Sequence, residues 1–216
     1  MMDFNRLIAG TVLTGAASFA QGGLAYTFDS DDQGWTSIND TSFIGYDGSI
    51  GQPSGALRGV DRASGAIWFF AAPQIDLGDL SGLYGNSISY DILGISGNQT
   101  SISARADIML SGGGLTIGIN ISTQPVLGQW TTWSAMVNDE SGWEYVSSTS
   151  DGTLNGNLVS DSDIMTVLSD LDGLFIRGEY TNGNDSAALD NVSFVPAPGS
   201  LGLMLLAGLV STNRRR

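Results

Sequence analysis

Hydrophobic residues along this chain fall in short runs rather than in helical stripes. Residues 66–71, 87–92, 106–111, 115–122, 131–137, 174–180 and 187–195 are rich in β-branched, aromatic and other apolar side chains. Clusters such as Ser111-Gly112-Gly113-Gly114 and Thr181-Asn182-Gly183-Asn184-Asp185 lie between them. Strand-length segments at this spacing, punctuated by turn residues, predict an all-β antiparallel sandwich. One segment keeps a different period: Ile164, Val167, Leu168 and Leu171 sit at i, i+3, i+4 and i+7 behind Ser160 or Asp161 as a cap. That spacing predicts one short helix near 161–171, packed by its apolar face across an end of the sandwich. In 66–71, Trp68 and Phe70 alternate with Ile67 and Phe69, so this strand is expected to be buried on both faces. Arg177 is the one positive charge in a strand that otherwise alternates toward a core, and it is expected to pair with Glu179 or a neighbouring Asp.

No linker, repeat or composition break interrupts 26–195, which reads as one domain, whereas both ends look like addresses. Residues 1–25 have Arg6 in a short polar start, an apolar run and a small-residue end, the pattern of a secretory signal peptide cleaved after either Ala20 or Ala25. At the other end, Pro196, Ala197 and Pro198 break the chain, 201–210 is apolar, and Arg214, Arg215 and Arg216 close it. As a helix, residues 199–212 would reach about 21 Å, short of the ~30 Å hydrocarbon core. That makes 196–216 a marginal membrane anchor with a positive-inside stop.

Composition narrows the chemistry. There is no histidine and no cysteine, and all eight positive side chains are arginines. Triads built on His or Cys, haem and iron–sulfur ligation, and ordinary zinc sites are excluded. Residues 26–195 hold four arginines against 21 acidic residues, a net charge of −17. Such a surface repels phosphate backbones and argues against nucleic acid as a partner. It suits an oxygen-loving cation such as calcium. Export without cysteine means that disulfides do not staple the fold.

Two resemblances emerge from these residues. Proline punctuation, a short apolar stretch and a terminal arginine cluster resemble the PEP-CTERM sorting tail, with Pro-Ala-Pro standing where that tail has Pro-Glu-Pro. This resemblance implies recognition by an exosortase of a Gram-negative bacterium, transient association with the inner membrane, and delivery to the cell surface or extracellular matrix. Between the ends, several stretches resemble, in order, the laminin B domain (laminin domain IV). They are Trp68 with Ala72-Pro73-Gln74-Ile75-Asp76-Leu77-Gly78-Asp79, Tyr84-Gly85-Asn86-Ser87-Ile88-Ser89-Tyr90, Asp107-Ile108-Met109-Leu110-Ser111-Gly112, Trp133 to Trp143, the run from Val167 to Tyr180, and Leu189-Asp190-Asn191-Val192. This resemblance spans roughly 55–194. It implies a jelly-roll β-sandwich of the galactose-binding-like kind, similar to carbohydrate-binding modules, with a binding or structural role and no catalytic residues.

The opening Phe28-Asp29-Ser30-Asp31-Asp32-Gln33-Gly34-Trp35, set against the late Asp190-Asn191-Val192, is similar to the strand pair that clasps a structural calcium ion in such modules. By that analogy Asp29 and Asp190 are the candidate ligands, followed by Asp31 and Asp61. The competing expectation is that these are solvated turn carboxylates capping backbone N–H groups. Trp68, Tyr90, Trp130, Trp133 and Trp143 offer sugar-stacking faces or core side chains, and Trp143, after Asp139-Glu140-Ser141-Gly142, is the one expected nearest a loop and a ligand. Asp139, Glu140 and Glu144 are the acids from which a glycan hydrolase would have to build its pair, about 5–9.5 Å apart across a cleft. The sequence therefore leads to an exported, non-enzymatic envelope or matrix protein associated with exopolysaccharide or biofilm. The alternatives are a secreted glycan-active hydrolase and a purely structural surface spacer.

Overall fold

Alternation along each strand decides which side chains are taken out of water, and the strands assemble accordingly. A computed structural model describes residues 22–97, 105–121 and 124–196. It contains β1 (Leu24–Tyr26), β2 (Thr36–Ile38), β3 (Thr41–Asp47), β4 (Ala56–Asp61), β5 (Phe69–Ala71), β6 (Ser87–Ser96) and β7 (Ile108–Gly112). These are followed by β8 (Leu115–Ile119), β9 (Trp130–Met136), β10 (Glu144–Ser148), β11 (Thr153–Leu158), α1 (Asp161–Ser169), β12 (Leu171–Arg177) and β13 (Ser186–Phe194). One sheet runs β3-β4-β13-β6-β9, with β1 also on β13; the other runs β11-β10-β8-β7-β12-β5-β2. Neighbouring strands are antiparallel, and successive strands repeatedly land in opposite sheets, which makes a jelly-roll sandwich.

In β6, Ile88, Tyr90 and Ile92 are fully buried while Ser87, Ser89 and Asp91 are half-buried. They meet Leu110, Ile117, Leu174 and Ile176 of the facing sheet in the main core. The strand expected to be two-faced is so: Trp68 and Phe70 enter the main core, and Ile67 and Phe69 join Ala106 and Met109 in a second apolar cluster. A turn joining β10 to β11 lies over that second cluster. Gly152 O accepts from Ala106 N at 2.9 Å, and the Asn39 side-chain amide donates to the carbonyls of Thr149 and Ser150 at 3.1 and 3.2 Å.

The helix begins as expected, with Ser160 as N-cap accepting from Asp163 N, and buries Ile164, Val167 and Leu168. It ends at Ser169, so Leu171 opens β12 instead of closing the helical stripe. At the other end of the domain β1 begins at Leu24, whose partner is Phe194, so ordered pairing starts two residues before the expected boundary at Tyr26. The strands β1–β4 and β10–β11 were not legible as alternating runs: β11, with the sequence TLNGNL, is largely exposed, and β2 is three residues long. The segment up to residue 21, expected to belong to a signal peptide, and the tail positions 197–216 lie outside the described residues.

Trp68 ties the two sheets together. Its ring lies against Gly59 of β4 and against Gly178, and makes an edge contact with Phe70 at 4.8 Å between centroids. A Cβ at Gly178 would sit 2.0 Å from the indole, and one at Gly59 2.4 Å from it. Both glycines therefore make room for one large ring that has no space to retreat. Gly178→Ala is predicted to destabilise the protein by about 1–3 kcal/mol through overpacking. The check is the urea midpoint of the variant against that of the native chain.

Candidate functional site

Polar side chains are gathered at two places along β13, one at its middle and one just before its start. At the middle lies Asp190, which faces Asp91 of β6 in the strand register and is fully buried. Its Oδ2 accepts from Gln52 N at 2.8 Å and its Oδ1 from Asn191 N at 2.7 Å. The Asn191 amide in turn donates to Gln52 O at 2.9 Å and to Asp91 Oδ2 at 2.8 Å. Burial raises the pKa of Asp190, the two N–H donors oppose that, and the charges of Asp91 and Asp29 raise it further. The charge of Asp29 is therefore felt at Asp190. Among the described residues, however, no three acidic side chains gather as a ready metal cage.

The other two calcium candidates stand elsewhere. Asp31 is exposed and caps its own turn, accepting from Gln33 N at 2.9 Å. Asp61 closes β4, where its N–H donates to Asp185 O at 3.0 Å. Asp185 is five positions from Asp190, about 17 Å along an extended chain at ~3.3 Å per residue. Asp61 thus belongs with the start of β13, away from Asp190, and is removed from the calcium set.

Around the start of β13 the sandwich offers a built polar recess. Asp40, Asp61, Glu179 and Asp185 come from four separate segments and are all at least nine-tenths buried. Turn geometry holds them. Asp40 accepts from the Ser64 N–H and hydroxyl and from Gly65 N; burial pushes its pKa up, but these donors prevail and leave it below the usual value. Asp185 accepts from Trp68 Nε1, Tyr180 N, Thr181 N and the Thr181 hydroxyl at 3.1–3.3 Å. Burial still raises it to about 6. Glu179 takes one N–H, from Trp68 at 3.2 Å, and burial, with Asp61 and Asp185 adding to it, raises it to about 8. Above this cluster a recess of about 240 Å3 is lined by Ala63, Gly65, Ile67, Arg105, Asp151, Glu179, Asn182 and Gly183. Arg105 and Asp151 face each other on its rim at 3.5 Å.

Trp143, the tryptophan expected to be least core-like, is fully buried, and its indole N–H donates to Met136 O at 2.8 Å. This corrects its assignment as a ligand contact: the turn before it, with Gly142 in the left-handed region, swings the ring inward. Trp35 and Trp68 are also core, and Trp133 packs edge-on between Tyr90 and Tyr180. Trp130, on β9, is half-exposed. Asp139 and Glu140 are exposed on a short turn, and Glu144 accepts from Gly156 N at 2.7 Å within the β10–β11 hairpin. Arg177 is paired as expected, although with Asp107 at 3.9 Å and the backbone oxygen of Glu179 at 2.5 Å rather than with the Glu179 carboxylate. Sequence reasoning did not single out Asp40, Asp185, Asp151 or Arg105. The one local signal was the Asx-type turn at Asp151, which accepts from Thr153 N and is a pattern shared with many residues that merely cap loops.

Comparison with known proteins adds the following. The sequence profile of the family laminin B (domain IV) matches residues 69–206. No curated protein matches the chain in sequence. The L4b domain of human laminin alpha-2 superposes with a TM-score of 0.52 at 18% identity, over 65% of this chain and 80% of that one. An exo-beta-agarase superposes at 0.53 and 16% identity over 82% of this chain, which spans only 25% of the agarase chain. The module CtCBM11 superposes at 0.50 and 15% identity, over 84% of this chain and 98% of its own. These likenesses share the two-sheet sandwich described above.

Proposed function

The chain belongs to the laminin B (domain IV) family, and on that footing we propose that it is an exported, non-enzymatic module that binds glycan at the cell surface or in the extracellular matrix. The observation that carries this reading is the recess beside β12. Carboxylates (Glu179, Asp151), a guanidinium (Arg105) and an amide (Asn182) stand there next to the apolar side of Ile67. Convergent polar groups against an apolar wall are what a sugar ring requires: its hydroxyls take the hydrogen bonds and its C–H face takes the wall. At about 240 Å3 the recess is sized for one sugar residue rather than for a chain of them. The resemblance of the fold to CtCBM11 supports a glycan over a small apolar ligand.

The delivery half of the proposal rests on the two ends of the sequence. Cleavage of the signal after Ala20 keeps β1 whole, whereas cleavage after Ala25 would remove Leu24, which is buried against Phe194. The PEP-CTERM-like tail is the element that an exosortase would recognise, and exopolysaccharide or biofilm is the setting to which it would deliver the domain. Calcium enters as a structural ion. Asp190 and Asp29 would supply carboxylate oxygens, with backbone carbonyls and water completing the shell. A buried Asp190 flanked by further acids is a position that a cation would relieve.

Three outcomes are expected. Binding of a neutral glycan from an array should survive both chelator and high salt, fall sharply in Arg105→Ala and Asp151→Ala, and have no counterpart with DNA, which the net charge of −17 over 26–195 repels. If no neutral glycan binds, the structural-spacer reading takes its place. Calcium at a hundredfold excess over Kd should stabilise the full chain by about 2.7 kcal/mol, and both Asp29→Ala and Asp190→Ala should abolish that gain. An equal Tm in calcium and in chelator would remove the ion from the account. Deleting Arg214–Arg216 in the native host should change where the protein accumulates, as read by fractionation and mass; unchanged location and mass would count against the sorting tail.

A further inference from the structure

The recess beside β12 carries more negative charge than its one arginine offsets. Arg105 is engaged by Asp151 at 3.5 Å. No salt bridge among the described residues reaches Glu179 on the wall, or Asp40, Asp61 and Asp185 beneath it; Arg58 pairs with Asp47 and Arg177 with Asp107. Asp40 and Asp185 are each compensated by several N–H and hydroxyl donors. Glu179 is not. Only 7% exposed, it takes one hydrogen bond, from Trp68 N to Oε2 at 3.2 Å. Oε1 takes none among the described residues, yet it is not sealed from solvent as Asp61 Oδ2 is, so it opens on the recess that Glu179 lines. A carboxylate oxygen held out of bulk water and short of donors favours a charged donor over a neutral one. Burial, with Asp61 and Asp185 adding to it, pushes this carboxyl up to about 8, so a proton and a bound cation compete for the same oxygen.

The size of the recess and the rest of its lining decide which cation suits it. A bare metal ion is served by several carboxylates at one point, and no three acidic side chains among the described residues gather so. At about 240 Å3 the recess has room for a whole ring, and Ile67 gives that ring an apolar wall. Arg105 and the Asn182 amide are donors that need oxygen acceptors from the ligand. A lysine side chain offers them none, whereas sugar hydroxyls do.

We infer that the sugar seated in this recess carries a free primary ammonium, as an amino sugar that is not N-acetylated does, and that Glu179 Oε1 receives it while Arg105 and Asn182 take the ring hydroxyls. This deepens the glycan reading above and rests on it. A neutral sugar fills the recess through the same hydroxyl contacts, and the ammonium adds a charge-assisted hydrogen bond at the one wall oxygen without a donor. N-acetylation removes that charge and sets a bulkier neutral amide against a buried carboxylate, so the acetylated sugar ranks below the free amine.

The test is titration calorimetry of the full chain against gluco- and galacto-configured oligosaccharides, each prepared with a 2-hydroxyl, a 2-acetamido and a free 2-amino group and otherwise identical. The amine form should bind about tenfold or more tightly than either neutral form. In Glu179→Gln, which keeps an oxygen for Trp68 N and loses the charge, the ratio of amine to hydroxyl affinity should fall to about one, whatever the absolute affinities become. Nα-acetyl-lysine amide, the same ammonium without a ring, should not bind. Equal affinities for the amine and hydroxyl forms on the native chain would overturn the inference and leave the glycan reading standing, and so would a preference for the amine that survives in Glu179→Gln. The native ranking decides the matter even where the variant does not fold. Binding of the lysine derivative as tightly as of the amino sugar would overturn the sugar as the source of the ammonium. Silence from the whole panel would overturn both this inference and the reading it rests on.

Discussion

A buried guanidinium organises the middle of this sandwich. Arg177 and Asp107 are 2% and 1% exposed, and each is committed to several partners. Arg177 meets Asp107 at 3.9 Å, donates from Nε to Glu179 O, and lies 4.5 Å above the Tyr180 ring. Asp107 accepts from Ile121 N at 2.7 Å, and its backbone oxygen accepts from Arg177 N at 2.9 Å. A buried pair of this kind adds little net stability over an apolar replacement, but losing one partner strands the other and costs about 3–5 kcal/mol. The consequence is positional. The chain leaving β12 cannot drift, so Gly178, Glu179 and Tyr180 are set in place, and with them the pocket for Trp68 and the turn that carries Asp185.

From that anchor the two polar places along β13 follow. Toward its start, Trp68 donates through both its backbone N–H and its indole N–H into the acid cluster, so one residue links the apolar core to the walls of the recess. At its middle, Asp190 and Asn191 stitch the loop containing Gln52 down onto the sheet. Among the described residues no salt bridge joins either place to an arginine, and both use backbone N–H groups to hold carboxylates out of water. A further negative charge is disfavoured at such sites as a direct result.

The recess is also shaped by what closes the neighbouring surface. Ile67, Phe69, Ala106 and Met109 on the outer side of the seven-stranded sheet would be an apolar platform if left open. The β10–β11 turn covers them, with Asn39 binding its carbonyls and Ala106 binding Gly152. What remains accessible is the polar margin around Glu179, Arg105 and Asp151, which is why the aromatic residues that suggested a stacking platform turn out to be mostly structural.

Period, turn chemistry and composition were enough to determine the class of fold, the seven strands with strong apolar alternation, the cap and apolar face of α1, and the exclusion of His- and Cys-based chemistry. These features are local, since each follows from neighbours a few residues apart. The short or exposed strands β1–β4, β10 and β11 were illegible because pairing, not their own side chains, makes them strands. Trp143 was misread for a related reason: loop residues precede it in sequence, yet Gly142 turns it into the core. The candidate site was the least legible part. Asp40, Asp61, Glu179 and Asp185 are spread over nearly 150 positions and look like ordinary turn acids until antiparallel pairing brings the ends of β4 and β12 to the start of β13. Only there does burial remove the water that would otherwise make four carboxylates indifferent to one another, and desolvation is a property of the assembled sandwich rather than of any segment of the chain.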